Sequence, residues 1–146
     1  MSSQLTVYKA SAGSGKTFTL AREYMTLVIA NPASYRTILA VTFTNKATEE
    51  MKMRILGKLY EIAHGLPEAN DYVNQIQQAL PYLSSEQIQK NAESALHLLI
   101  HNYNYFRVMT IDTFFQSVLR NLARELDLTA NLRIELNLSL IHISEP

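Results

Sequence analysis

Cysteine is absent from all 146 residues, which excludes disulfide scaffolds and thiolate metal sites and fits a reducing compartment. No apolar run approaches the ~20 residues that span a bilayer, and the first residues carry no cationic segment leading into an apolar stretch. A soluble, cytoplasmic protein with no membrane contact is the expectation. Net charge is lacking too: 13 basic residues balance 13 acidic ones, so bulk electrostatics announce no nucleic-acid binder. A small basic groove nevertheless fits within a neutral total. Internal repeats and low-complexity tracts are missing. Apolar residues are not, and 47% of them suffices for a packed core in a chain of one domain's length.

Glycine is scarce, four in all, yet two fall in one short stretch, Ala10-Ser11-Ala12-Gly13-Ser14-Gly15-Lys16-Thr17. An apolar run (residues 5–8) precedes it and a helical pattern follows. Strand, glycine-rich turn, Lys-Thr and helix make up the phosphate-binding P-loop, so the expected ligands are ATP and Mg2+. Gly13 and Gly15 can take backbone angles closed to other residues, which lets the loop wrap a phosphate with its N–H groups inward. The helix adds unpaired N–H groups and the positive end of its dipole. Lys16 is placed to reach the β- and γ-phosphates, and Thr17 to ligate Mg2+ through its hydroxyl. The generic pattern begins with glycine, whereas Ala10 fills that slot here. The plain alternative is a chance Gly-Ser loop before a helix.

Strand-like runs cover residues 5–9, 37–43 and 106–111, and the near-continuous apolarity of the second suits a buried parallel strand. Helical patterns cover residues 16–29 and 45–65, the second with Asn45 as N-cap and a stripe of Ala47, Met51, Ile55, Leu59 and Ile62. Another covers residues 69–79. Ser84 and Gln87 open the next as a capping box, with Ile88, Ala92, Leu96 and Leu99 as its stripe. The last follows Asp112, with Phe115, Val118, Leu119, Leu122 and Leu126 on one face. Strands alternating with helices predict an α/β fold around a parallel sheet, with residues 66–105 as a helical insertion.

Ligands of open α/β sheets bind at the carboxyl ends of the strands. Thr42, Phe43, Thr44 and Asn45 stand at one such end, with short hydroxyl and amide groups suited to sugar-phosphate oxygens. Phe43 offers either a stacking face or a core side chain. Ordinary capping of a crossover helix explains the same residues equally well. At the other strand end, Thr110-Ile111-Asp112-Thr113 admits three readings: an Mg2+-coordinating acid, a helix cap, or a second phosphate-gripping corner. The missing glutamate after Asp112 favours the last two. His97 and His101 have zinc-compatible spacing without an evident third ligand, and a helix-surface role is the expectation. Packing is the expectation for Tyr103 and Tyr105, and a solvated face for the basic side of Lys46, Lys52, Arg54 and Lys58.

Taken together, the loop at residues 10–17, Val41-Thr42-Phe43-Thr44-Asn45-Lys46-Ala47 with Glu50-Met51 and Arg54-Ile55, and Thr110-Ile111-Asp112-Thr113-Phe114 resemble motifs I, Ia and Ib of UvrD/Rep/RecB-type superfamily 1 DNA helicases. That family's P-loop carries alanine at the Ala10 slot. Aspartate at position 112, followed by Phe115-Gln116, is closer to RecB/AddA-type helicase-nucleases than to UvrD. The resemblance covers residues 5–136. It implies a P-loop NTPase of the RecA-like kind, a parallel sheet flanked by helices, and an ATP-hydrolysing motor moving 3′ to 5′ on single-stranded DNA to separate duplexes in repair or recombination.

By the same resemblance, Lys16 and Thr17 serve ATP and Mg2+, Thr42, Phe43, Thr44, Asn45, Thr110 and Asp112 lie along the DNA path, and a helicase-nuclease partner subunit is implied. Residues 1–65 and 106–137 then form part of the first ATP-binding domain, and 66–105 the insertion. No Asp-Glu pair ends a buried strand, and the second motor domain and its arginine fingers lack counterparts, so the chain reads as the N-terminal part of a larger enzyme, itself inactive. Residues 138–146 continue no pattern of the family and read as foreign sequence. A small P-loop kinase or nucleotide-binding module, using Asp112 as its metal acid, is the rival reading.

Overall fold

The computed structural model describes residues 14–126, in which five α-helices surround a two-stranded parallel sheet. The predicted strand at residues 5–9, the loop residues Ala10, Ser11, Ala12 and Gly13, and the tail at 138–146 lie outside the described residues. Helix α1 (Ser14–Ala30) opens the described chain. It stops at Asn31, whose side chain accepts from the Ala33 amide at 3.2 Å and starts a 3₁₀ turn over Pro32–Thr37. Strand β1 (Leu39–Thr42) therefore begins two residues later than its sequence pattern suggests.

Helix α2 (Asn45–Ala63) buries Thr48, Met51, Ile55, Leu59 and Ile62, so Thr48 replaces Ala47 at the top of the expected stripe. Its end is a Schellman motif: the Leu66 amide donates to Glu61 O at 2.9 Å and the Gly65 amide to Ile62 O at 3.1 Å. Gly65 there has φ +64°, the left-handed region where a side chain is costly. Helices α3 (Asn70–Ala79) and α4 (Ser85–His101) follow. Both halves of the Ser84/Gln87 capping box form, at 3.2 and 2.9 Å. The chain then enters β2 (Arg107–Thr110) and α5 (Ile111–Glu125).

One core unites these elements. Met25, Val28 and Ile29 of α1, Ile55, Leu59 and Ile62 of α2, Ile76 of α3, and Ile88 and Leu99 of α4 are all fully buried within it. Helix α4 packs on both α1 and α2, and Asn91 donates across to Ile29 O at 2.8 Å. At about 1.5–3 kcal/mol for each fully buried aliphatic side chain, this helical seam is the chief source of stability in the described chain.

The strands pair in register, Leu39 with Arg107 through Thr42 with Thr110. Parallel neighbours need a long crossover, supplied here by α2, α3 and α4. Ala40, Thr42, Val108 and Thr110 face inward, whereas Leu39 and Arg107 are exposed, so β1 is buried on one face rather than on both. Helix α5 also departs from expectation. Phe115, Val118, Leu122 and Leu126 do share a face, but the helix buries none of its residues among those described.

Candidate functional site

Both strands end in threonine, and both threonines lead into a helix. Thr44, one turn past β1, caps α2: its φ of −132° and ψ of 158° are extended, and its Oγ1 accepts from the Ala47 amide at 3.0 Å. Thr110 caps α5 in the same manner, with Oγ1 accepting from the Thr113 amide at 3.2 Å and donating to Thr113 Oγ1 at 2.9 Å. The caps are thus Thr44 and Thr110, each ahead of the expected Asn45 and Asp112, because a cap needs extended backbone and the last strand-like residue already has it. Register puts Thr42 opposite Thr110, so two helix amino ends stand side by side at one sheet edge.

Exposure divides the candidate residues. Phe43 is 65% exposed, which decides against a core role, and Thr44, Asn45 and Asp112 are exposed with it. Thr42 and Thr110 are buried, each 8% exposed, and their hydroxyls are engaged within the protein. Thr42 Oγ1 pairs with Thr48 Oγ1 and lies within hydrogen-bond reach of Thr44 O and Met109 O. Thr48, 7% exposed, lies between the motif residues Ala47 and Glu50. What marks it is its position on the inward stripe of α2, readable only once the helix phase is fixed.

Lys16 and Thr17 occupy the first turn of α1, which carries no acidic side chain; Lys16 is exposed and Thr17 half-buried. A helix amino end free of carboxylates suits an anion. The body of α1 packs on α2 and α4 through the core, and further contacts fix it to α3 and to the residue before β2: the Phe18 ring stacks on Tyr72 at 4.1 Å, Arg22 donates to Gln75, and Tyr24 packs on Phe106 at 5.5 Å. Burial pushes the Tyr24 phenol well above its ordinary value of 10, and its hydroxyl has no hydrogen-bond partner among the described residues. The structure thus joins the two strand-end motifs through the sheet, and packs the helix of the first motif against α2, α3 and α4.

The lesser candidates are structural in geometry. His97 and His101 are exposed, their rings 3.9 Å apart, with His101 Nδ1 at 2.9 Å from His97 O. Tyr103 and Tyr105 are about two-fifths exposed and carry cations over their rings, Lys52 at 4.9 Å and Arg36 at 4.7 Å. On the basic side of α2, Lys58 is not simply solvated; it pairs with Glu61 at 2.8 Å and donates to Glu68 O at 3.3 Å. No helix among the described residues is long and apolar enough to cross a membrane.

Comparison with known proteins adds to this geometry. The family model for the UvrD/REP helicase N-terminal domain matches residues 1–143. Among curated proteins, the RecBCD enzyme subunit RecB of Borreliella burgdorferi is 34% identical over 111 residues, covering 75% of this chain and 9% of that protein. The RecBCD enzyme subunit RecB of Escherichia coli K12 is 34% identical over 122 residues, 76% of this chain and 10% of that one. The ATP-dependent DNA helicase UvrD1 of Mycobacterium tuberculosis H37Rv is 48% identical over 54 residues, covering 37% of this chain and 7% of its own length. The chain thus spans about a tenth or less of the curated relatives it matches. No solved structure matches it.

Proposed function

This chain belongs to the family of UvrD/REP helicase N-terminal domains, and from that premise we propose that it is the N-terminal ATP-binding part of an ATP-dependent DNA helicase acting in repair or recombination. Similarity along three quarters of the chain to RecB, named as a subunit of the RecBCD enzyme, supports a partner subunit; a helicase-nuclease parent and 3′ to 5′ movement belong to the same proposal. Residues 1–65 and 106–137 are assigned to the first, RecA-like ATP-binding domain, and 66–105 to a helical insertion that shares its core. Residues 138–146 are assigned to none of these.

The triphosphate site is assigned to Ala10, Ser11, Ala12, Gly13, Ser14, Gly15, Lys16 and Thr17. The backbone amides would cradle the phosphates, the Lys16 ammonium would neutralise them, and Thr17 Oγ1 would hold Mg2+. The carboxylate-free first turn of α1 fits that load. Mg2+ held by Thr17 would supply charge that offsets what builds up on the phosphates during phosphoryl transfer. The chain's own residues bind and orient the nucleotide. The acids that would position the attacking water have no counterpart in this sequence, so the isolated chain is expected to bind ATP without appreciable turnover.

One observation carries the DNA-facing half of the proposal: two capped helix amino ends lie side by side at one sheet edge, with Phe43, Thr44, Asn45 and Asp112 exposed along it. Phe43 supplies a face for a base, and Thr44 and Asn45 supply polar groups for sugar-phosphate oxygens. The Asp112 carboxylate accepts hydrogen bonds, so it suits a base N–H better than a phosphate. Thr42 and Thr110, buried beneath, hold this edge in shape. Anisotropy of a labelled single-stranded oligonucleotide tests the reading. Weak binding that falls as salt rises is expected, and Phe43→Ala should weaken it by about 1–3 kcal/mol, the worth of one stacked base. Phosphate transfer from ATP to a small acceptor, with no oligonucleotide binding, would replace this reading by the kinase.

A further inference from the structure

Among the described residues, the buried polar side chains other than tyrosine are Thr42, Thr48 and Thr110, and all three lie at the one sheet edge where the strands end. A buried hydroxyl costs free energy unless it is bonded, and valine or alanine would fill the same space without that cost. Three hydroxyls kept together at one place therefore call for a directional role.

The bonds at Thr48 show what that role is. Thr48 Oγ1 reaches Thr42 Oγ1 on β1 and, at 3.1 Å, Thr44 O in the cap of its own helix. Thr42 Oγ1 in turn lies 3.3 Å from Thr44 O and 3.4 Å from Met109 O on β2. Two hydroxyls have two protons for these acceptors. Either Thr42 donates to Thr48 and Thr48 to Thr44 O, or Thr48 donates to Thr42 and Thr42 donates to Met109 O or Thr44 O. In both arrangements the Thr42–Thr48 bond is made, and it spans the exposed corner Phe43-Thr44-Asn45. The second arrangement extends the tie to β2, one residue before Thr110, which caps the helix bearing Asp112.

We propose that Thr48 is a positioning residue: its hydroxyl, paired with that of Thr42, fixes where Phe43, Thr44 and Asn45 stand relative to β2 and Asp112. The consequence for DNA rests on the function proposed above; the consequence for the corner itself does not. Without the Thr48 hydroxyl, the one Thr42 proton has only the longer contacts to Thr44 O or Met109 O, and the corner loses its side-chain tie to α2.

The test uses the 146-residue chain with Thr48→Val, Thr48→Ser and Thr48→Ala. Amide hydrogen exchange at residues 43–47 should quicken about fivefold in Thr48→Val, the effect of one net hydrogen bond, and stay native in Thr48→Ser, which keeps the hydroxyl. A labelled oligonucleotide should bind about fivefold more weakly to Thr48→Val, with ATP affinity unchanged. Should valine disrupt folding, Thr48→Ala gives the same comparison without a misplaced methyl. Native exchange in Thr48→Val, or exchange in Thr48→Ser as fast as in the valine variant, would overturn the assignment. A native chain that binds no oligonucleotide would sink the DNA reading, while the exchange comparison still decides the role of Thr48.

Discussion

Leu59 and Leu122 make a matched pair that tests the packing most sharply. Leu59 of α2 has no exposed surface and sits in the core cluster that α2 shares with α4 and α1, whereas Leu122 of α5 is 49% exposed on a helix that buries nothing. The substitution to alanine deletes the same atoms at both sites, so differences in cost come from burial and from the cavity left behind. At Leu59 the transfer and cavity terms together cost about 3 kcal/mol, within the range of about 2–5 for buried leucines. For a chain of this size that lowers Tm by about 10 °C. At Leu122 half of the side chain is already in water and no closed cavity forms, so the cost is about 0.5–1 kcal/mol and the shift about 2–3 °C. Thermal melts followed by circular dichroism at 222 nm read both. Equal losses at the two sites would show that the α5 stripe is covered in solution. A loss below about 1 kcal/mol at Leu59 would refute the α2–α4 seam, and so would a native chain lacking a cooperative melt.

Tyr24→Phe removes a buried hydroxyl with no partner, so it should leave Tm unchanged or raise it, and a loss of several degrees would reveal a missed hydrogen bond. Tyr24 also sets an alkaline limit. Its folded pKa is raised by burial, so between 10 and that higher value the unfolded chain releases a proton that the folded one keeps. Stability from this group is complete below pH 10 and falls as pH rises beyond it, and melts at pH 9 and 11 should show less decline in Tyr24→Phe than in the native chain. Gly65→Ala should cost about 1–2 kcal/mol in the same melt, since φ is +64° and the new methyl would lie 3.1 Å from the Gln89 amide nitrogen; a neutral outcome would mean α2 does not end in this turn.

Sequence pattern made some elements plain and hid others for physical reasons. The Ser84/Gln87 box and the turn at Gly65 rest on local chemistry, and both form where the residues place them. The 3₁₀ turn at Pro32–Thr37 is too short to show a period, and Thr37 reads as strand by its β-branch. The caps of α2 and α5 fall earlier than expected for a related reason. Thr44 and Thr110 are β-branched residues at strand ends, and the extended backbone that makes them strand-like also makes them caps.

In the site, alternation gives parity and not direction, so it leaves open whether Phe43 or Thr42 faces the core. The burial of Ala40 and Thr42 settles it, and Phe43 is left in the open. The role of Thr48 depends on contacts six residues back on β1 and with β2, beyond the reach of any local pattern. The apolar face of α5 was legible as a face, but what it meets is a property of tertiary structure.

The central claim is that residues 10–17 hold a triphosphate through backbone amides, the Lys16 ammonium and the Thr17 hydroxyl. Calorimetric titration of the chain with ATP and Mg2+, beside Lys16→Ala, measures it directly. Saturable binding by the native chain is expected, with binding lost in Lys16→Ala and Tm within about 2 °C of native, because exposed Lys16 is not part of the core. Equal affinity in the two proteins, or no binding by a native chain that melts cooperatively, would contradict the claim.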